Sequence, residues 1–236
     1  MDATIKDKIN RIVTCFETGT TEYNDESYGA ITILQDGKIM RGAKTWQVTY
    51  GVRQTTEQGN LKALIEMYFA RQDAQYRKQF EPYLSKIGTI PLYTDDNFKR
   101  LLEVAGSDKV MHEVQDSFFE QYYYKPAERW FTMNGFTKPL SMLVILDSFI
   151  QSGRIHEFLR KRFPAVPPSS GGDEKRWITE YMTTRDKWLE TNPDKNLRNS
   201  DYRTDVLLRE IAADNWDLKN PVVVTDGNGE IMATIP

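Results

Sequence analysis

Apolar residues recur at helical spacing from the start of the chain: Ile5, Ile9, Ile12, Val13 and Phe16 fall on one stripe, the mark of an amphipathic helix with one buried face. Residues 18–27, rich in Thr, Asn, Asp and Gly, read as a loop. The period then drops to two. Ile31 and Ile33 alternate with Thr32 and Gln35, and Asp36-Gly37 followed by Lys38 to Arg41 predicts a hairpin. Trp46, Val48 and Tyr50 predict a third strand over 45–50 that stops at Gly51. From Glu57 the helical period returns, and Leu61, Leu64, Ile65, Tyr68 and Phe69 predict a long helix reaching Tyr83. Further helices read at 95–105, 109–133 with a break near Pro126, 139–152, 155–163, 173–190 and 200–213. A last hairpin pairs 222–225 with 231–234 across Asp226-Gly227, and the Pro- and Gly-rich stretch 165–172 is either a joint between lobes or an ordered surface loop.

Four charged residues break this pattern from within. Glu17 follows Val13 by one turn, Asp147 sits among Leu140, Leu143, Val144 and Ile150, Arg185 lies one turn from Tyr181 and Trp188, and Arg203 shares a face with Val206, Leu207 and Ile211. A lone buried charge costs several kcal/mol, so charges on inward stripes are paired in the interior or gathered at a cleft. Two acids balance two arginines.

Composition narrows the classes. The chain has 236 residues, 39% hydrophobic and 28% charged, with a net charge of −3, enough for one domain of two lobes with a full core. No apolar run is long enough to span a bilayer, so membrane insertion is not expected. Basic residues are interspersed with acids, which leaves no stripe for a nucleic-acid backbone. The single Cys15 excludes an internal disulfide, and His112 and His156 have no spaced partners, so neither a metal nor an organic cofactor is implied. The run Tyr122, Tyr123, Tyr124 cannot face one way on a helix and reads as core packing with one or two exposed rings. The charged opening of the chain reads as helix and not as a secretory signal, so the expectation is either a signal already removed or another route out of the cell.

The order helix, carboxylate, small sheet, then helices resembles the lysozyme superfamily. The segments Phe16-Glu17, Gln47-Val48-Thr49-Tyr50-Gly51, Ile145 to Gly153 with Asp147, Glu180-Tyr181 through Arg185, Tyr202-Arg203 and Asn215 to Pro221 are similar to those of the bacterial chitosanases of glycoside hydrolase family 46. The resemblance implies a mainly α (α+β), lysozyme-like fold of two lobes with a cleft between them. A small antiparallel sheet is inserted after the first helix, with the small lobe at about 18–56 of a single domain spanning 1–236. It also implies that Asp147, Arg185 and Arg203 form an ion network supporting a catalytic Glu17.

Glycosidic hydrolysis needs a protonated carboxyl at the leaving oxygen and an ionised one to activate water or attack carbon. By resemblance Glu17 is the acid, and Thr49 helps place water on the opposite side of the sugar, which implies inversion. The resemblance also puts a second acid a few residues before Thr49, where this chain has Lys44, Thr45 and Trp46. Asp36 is the candidate, Asp25 and Glu26 are alternatives, and Asp36 reads equally well as a turn residue. Arg53 and Gln54 are candidates for sugar hydroxyls or for capping the next helix. The expected activity is endo-cleavage of a β-1,4-linked amino-sugar polymer. Chitosan is the first substrate and peptidoglycan the second, and a non-catalytic carbohydrate-binding or assembly protein is a third reading. The expectation is a monomer with no nucleic-acid partner, acting outside the cell or delivered to the cell wall.

Overall fold

The computed structural model describes residues 1–21, 23–40 and 43–236, and the side chains of all of these except Ile39 and Met40. Two compact units emerge: one is 1–21 with 121–236, the other 22–120. The sheet-bearing unit is therefore larger than the expected 18–56, because helices pack around the sheet. The first helix, α1 (Ala3–Thr18), is capped by Asp2, whose carboxylate accepts the Ile5 N–H at 2.9 Å. It stops at Gly19, whose φ of 76° lets its N–H turn back to the Cys15 carbonyl.

In the second unit, the short α2 (Asp25–Gly29) leads into β1 (Ile31–Leu34), β2 (Ile39–Met40), β3 (Ala43–Lys44), β4 (Gln47–Tyr50) and β5 (Thr55–Thr56). The expected hairpin across Asp36-Gly37 is not how the sheet pairs. β1 pairs antiparallel with β4, Ile31 opposite Tyr50, and β4 pairs with β5. Residues 39–44 form their own small ladder, Ile39 opposite Lys44, and Arg41, the expected end of a strand, lies outside the described residues. Side chains tie this excursion down: Gln58 Nε2 donates to Thr45 Oγ1 at 2.9 Å, and Lys38 N–H donates to Gln58 Oε1 at 2.6 Å.

The long helix expected to Tyr83 is also broken. It is α3 (Leu61–Ala70), then a bend, the single turn α4 (Arg77–Phe80) and a 3₁₀ turn. The bend is held from elsewhere in the unit: Tyr76 N–H donates to Tyr68 Oη at 3.0 Å, and Gln75 N–H donates to Asp108 at 2.9 Å. α5 (Asp96–Ala105) and α6 (Lys109–Phe119) complete the unit.

The chain returns to the first unit through a π-helical stretch, Glu120–Tyr124, which is the break expected near Pro126. Tyr124 is buried under Lys6, whose Nζ lies 4.0 Å above the ring, while Tyr122 is exposed. Then come α7 (Lys125–Met133) and α8 (Pro139–Ser152), whose bounds follow from Pro139 in the first turn and Gly153 in left-handed conformation at the end. Every residue from Leu140 to Phe149 is buried, so α8 is the central helix of this unit. The helix expected over 155–163 shrinks to α9 (Glu157–Arg160), and 165–172 is an ordered loop inside this unit, with Glu180 accepting the Ala165 N–H at 2.9 Å. α10 (Glu174–Glu190), α11 (Lys195–Arg198) and α12 (Tyr202–Ala212) follow, and α8 packs against α1, α7, α10 and α12. β6 (Val222–Thr225) pairs with β7 (Ile231–Ile235) and packs on α1 and α12. No helix among the described residues is long and apolar enough to cross a membrane.

Candidate active site

The four charges that interrupt the apolar stripes meet in the first unit. Asp147 projects from the middle of α8 and is fully buried. Its Oδ2 lies 2.7 Å from Arg185 Nη1 of α10, and its Oδ1 accepts from Arg203 Nε at 2.8 Å and lies 2.6 Å from Arg203 Nη2. Two nitrogens of one guanidinium thus converge on a single oxygen of Asp147, while its other oxygen faces Arg185. The remaining Arg203 nitrogen, Nη1, lies 2.6 Å from Glu17 Oε1 at the end of α1. Residues 140–149 of α8 are all buried, so the Asp147 charge is compensated within the protein and not by water. Burial alone would raise its carboxyl, but Arg203 and Arg185 outweigh that and hold it below the usual carboxylate value. Burial likewise works against the Arg203 charge, and Asp147 and Glu17 together raise its pKa instead.

Further hydrogen bonds hold Arg185 and tie together the helices that carry the network. Arg185 Nη2 donates to Gln151 Oε1, and Gln151 Nε2 donates to Ser200 Oγ at 2.5 Å. Tyr181 Oη donates to Ser148 Oγ at 2.9 Å, and Tyr202 Oη donates to the Phe16 carbonyl at 2.6 Å. Ser148, Gln151, Tyr181 and Tyr202 all lie within segments that carry the family resemblance, yet no periodicity marks out Gln151 or Tyr202. Their role is visible only once α1, α8 and α12 are packed. Glu17 keeps 12% of its side chain exposed, the most open of the four, so one end of a buried ionic chain reaches the surface as a carboxyl.

The other candidates belong to the second unit. Thr49 is buried on β4, with its hydroxyl 3.0 Å from Gln54 Oε1 and 3.1 Å from the Thr32 carbonyl. Gln54 holds a left-handed φ of 48° in the turn after β4 and does not cap a helix. Arg53 stacks its guanidinium 3.8 Å over the Phe119 ring and faces Tyr23 at 5.3 Å. Asp36 is not at a hairpin tip. It lies where the chain leaves β1, and its Oδ1 accepts from Gln47 Nε2 at 2.7 Å. Asp25 is exposed and 3.6 Å from His112 Nε2, and Glu26 is exposed beside it. No sequence pattern points to Glu57, which is 2% exposed and bridges β4 to the segment before α5. Its Oε2 accepts the Val48 N–H at 3.1 Å and its Oε1 the Leu92 N–H at 2.9 Å. Among the described residues no group of three His, Cys, Asp or Glu could hold a metal ion.

Comparisons with known proteins point to one family. The family model described as glycosyl hydrolase family 46 matches residues 11–222. A chitosanase of Bacillus subtilis (strain 168) is 25% identical over 235 residues, covering 93% of this chain and 81% of that protein. The crystal structure of native chitosanase from Bacillus subtilis MY002 superposes with a TM-score of 0.82 at 24% identity, covering 100% of both chains. A chitosanase of Gynuella sunshinyii in complex with chitotetraose gives the same TM-score of 0.82 at 22% identity, over 100% of this chain and 99% of that one.

Proposed function

The chain belongs to glycosyl hydrolase family 46, and from that premise we propose that it cuts internal β-1,4 links of chitosan by an inverting reaction with Glu17 as proton donor. The observation that supports this assignment is the 2.6 Å contact between Arg203 Nη1 and Glu17 Oε1. With Glu17 protonated, Asp147, Arg185 and Arg203 carry a net charge of about +1 by formal count, and when Glu17 gives up its proton the carboxylate left behind neutralises it. The charge that develops on the donor in the transition state thus falls beside a guanidinium already fixed in place by Asp147. Relatives named as chitosanases, one of them in complex with chitotetraose, support the substrate.

Asp36 acts as the base that activates water, and Thr49 with Gln54 orients that water. Arg53, in the turn after β4 and stacked on Phe119, is assigned together with Gln54 to substrate hydroxyls. No metal or organic cofactor takes part in the proposed chemistry. All four ionic residues come from one chain, so a monomer suffices. A polymer of this kind does not cross a membrane, which places the reaction outside the cell or at the cell wall.

The test is hydrolysis of chitosan followed three ways: release of reducing ends, early loss of viscosity, and the anomeric form of the first product by proton NMR. Endo-cleavage with an α-anomer from a β-link is expected. Glu17→Gln should lower turnover by roughly 10²–10⁴-fold, the usual contribution of a general acid, while oligosaccharide affinity holds. Retained turnover in that variant sinks the assignment. Clearing of purified cell walls without action on chitosan would move the substrate to peptidoglycan.

A further inference from the structure

Glu17 occupies the last turn of α1, the part of a helix whose carbonyls have no partner within the helix and which frays first. Gly19 N–H turns back to Cys15 at 2.9 Å. The next carbonyl, that of Phe16, would look to the Thr20 N–H, but that group points to Thr18 Oγ1 at 3.4 Å. The Phe16 carbonyl is part of the peptide unit joined to the Glu17 nitrogen, so whatever fixes it fixes the direction in which the Glu17 side chain leaves the helix. The group that fixes it is the phenol of Tyr202, donating at 2.6 Å.

We propose that Tyr202 is a positioning residue for Glu17, holding the last turn of α1 so that the carboxyl stays on Arg203. This rests on Glu17 being the proton donor. Adjacent residues of α12 grip adjacent residues of α1: Tyr202 takes the Phe16 backbone, and Arg203 takes the Glu17 carboxylate at 2.6 Å. The Tyr202 ring also meets the Phe16 ring edge-on at 6.2 Å and 73°, and the Arg203 guanidinium lies 5.2 Å over the same Phe16 ring. The clamp has a polar and an apolar component, and the two are separable by mutation. Burial pushes the Tyr202 phenol up, so it remains a donor through neutral pH.

Tyr202→Phe keeps the ring contact and removes the hydroxyl. On chitosan its kcat should fall about tenfold with KM within about twofold, a fraction of the full general-acid contribution. A merely structural defect would lower turnover equally on every substrate. A displaced proton donor spares substrates that need no proton, so on a chitooligosaccharide carrying a dinitrophenyl leaving group the variant should match the unmodified enzyme. Unchanged kcat on chitosan, or an equal loss on both substrates, overturns the inference. Glu17→Gln run on the same pair separates the two levels. If it too shows no loss on chitosan, the proton-donor reading itself has failed. If it shows the leaving-group-dependent loss and Tyr202→Phe does not, Tyr202 alone is dismissed.

Discussion

Glu17 and Asp147, from helices far apart in the chain, are bound to one guanidinium: Arg203 Nη1 is 2.6 Å from Glu17 Oε1 and Arg203 Nη2 is 2.6 Å from Asp147 Oδ1. Arg203 is therefore shared between a fully buried carboxylate that holds it and a partly open one that it serves. Asp147→Asn removes the inner charge without changing shape and leaves two buried cations facing a neutral amide. Breaking a buried pair in this way costs about 3–5 kcal/mol, and at ~2–4 °C per kcal/mol for a chain of this size the melting temperature should fall by roughly 6–20 °C. Calorimetry of the variant is the check, and a melting temperature within a degree of the unmodified protein would show that the network contributes nothing to stability.

Replacing Arg203 by lysine keeps the charge and removes the fork. An ammonium is a single point of contact and cannot hold Asp147 side-on while reaching Glu17. Arg203→Lys should therefore fold, since the charge count is unchanged, yet lose turnover on the order of tenfold or more, at least about 1.4 kcal/mol of barrier. Steady-state kinetics beside a melting curve distinguishes this from simple destabilisation.

The network also sets a pH dependence with a definite sign. In the unfolded chain the Asp147 carboxyl takes up its proton near the ordinary value of 3.8, whereas in the folded protein the two arginines hold it lower. Between those two values the unfolded state binds more protons, so stability rises with pH there. The contribution is complete above the ordinary value and is lost as pH falls through the folded one. Urea midpoints measured from neutrality into acid should show this loss only below about pH 4, and the slope in that acid window should be shallower in Asp147→Asn.

Much of this was legible in the sequence where one element decides its own structure. α8 runs from Pro139 to Ser152 as its Pro start and Gly153 stop require, and Asp147, Arg185 and Arg203 stood out because a charge on an apolar stripe needs a partner. Where another element decides, the local pattern misleads. Asp36-Gly37 is a good turn, but the partner of β1 is β4, reached after an excursion held by Gln47, Thr45 and Gln58. The helical period runs smoothly from Leu61 towards Tyr83, yet Asp108 and Tyr68 take the backbone donors of residues 75 and 76 and end the helix at Ala70. Glu57 gave no signal at all, since a carboxylate serving two distant backbone donors leaves no trace in periodicity.

That buried carboxylate yields a prediction of its own. Burial pushes Glu57 up, and the N–H groups of Val48 and Leu92 oppose this. Its two oxygens serve two donors, whereas a glutamine has one oxygen and turns its NH₂ towards the other donor. Glu57→Gln should leave one buried N–H unpaired, at about 1–3 kcal/mol. Because Val48 adjoins Thr49 on β4, the loosening should reach Thr49. Hydrogen exchange should show faster exchange at the Val48 or Leu92 amide, and full protection at both would contradict the bridging role.

The base is the remaining assignment, and Asp36 is separated from its rivals by chemistry rather than by loss of activity alone. An inverting enzyme deprived of its base keeps its proton donor, so a small strong nucleophile that needs no deprotonation can take the place of water. Asp36→Asn should lose roughly 10²–10⁴-fold in turnover, as for any general base. Azide should then restore cleavage, yielding a glycosyl azide with the anomeric configuration opposite to the substrate's. Asp25→Asn and Glu26→Gln, both exposed on α2, should retain turnover. If azide instead rescues Asp25→Asn or Glu26→Gln, the base is that residue, and the hydrogen bond between Asp36 and Gln47 is left as a structural tie at the end of β1.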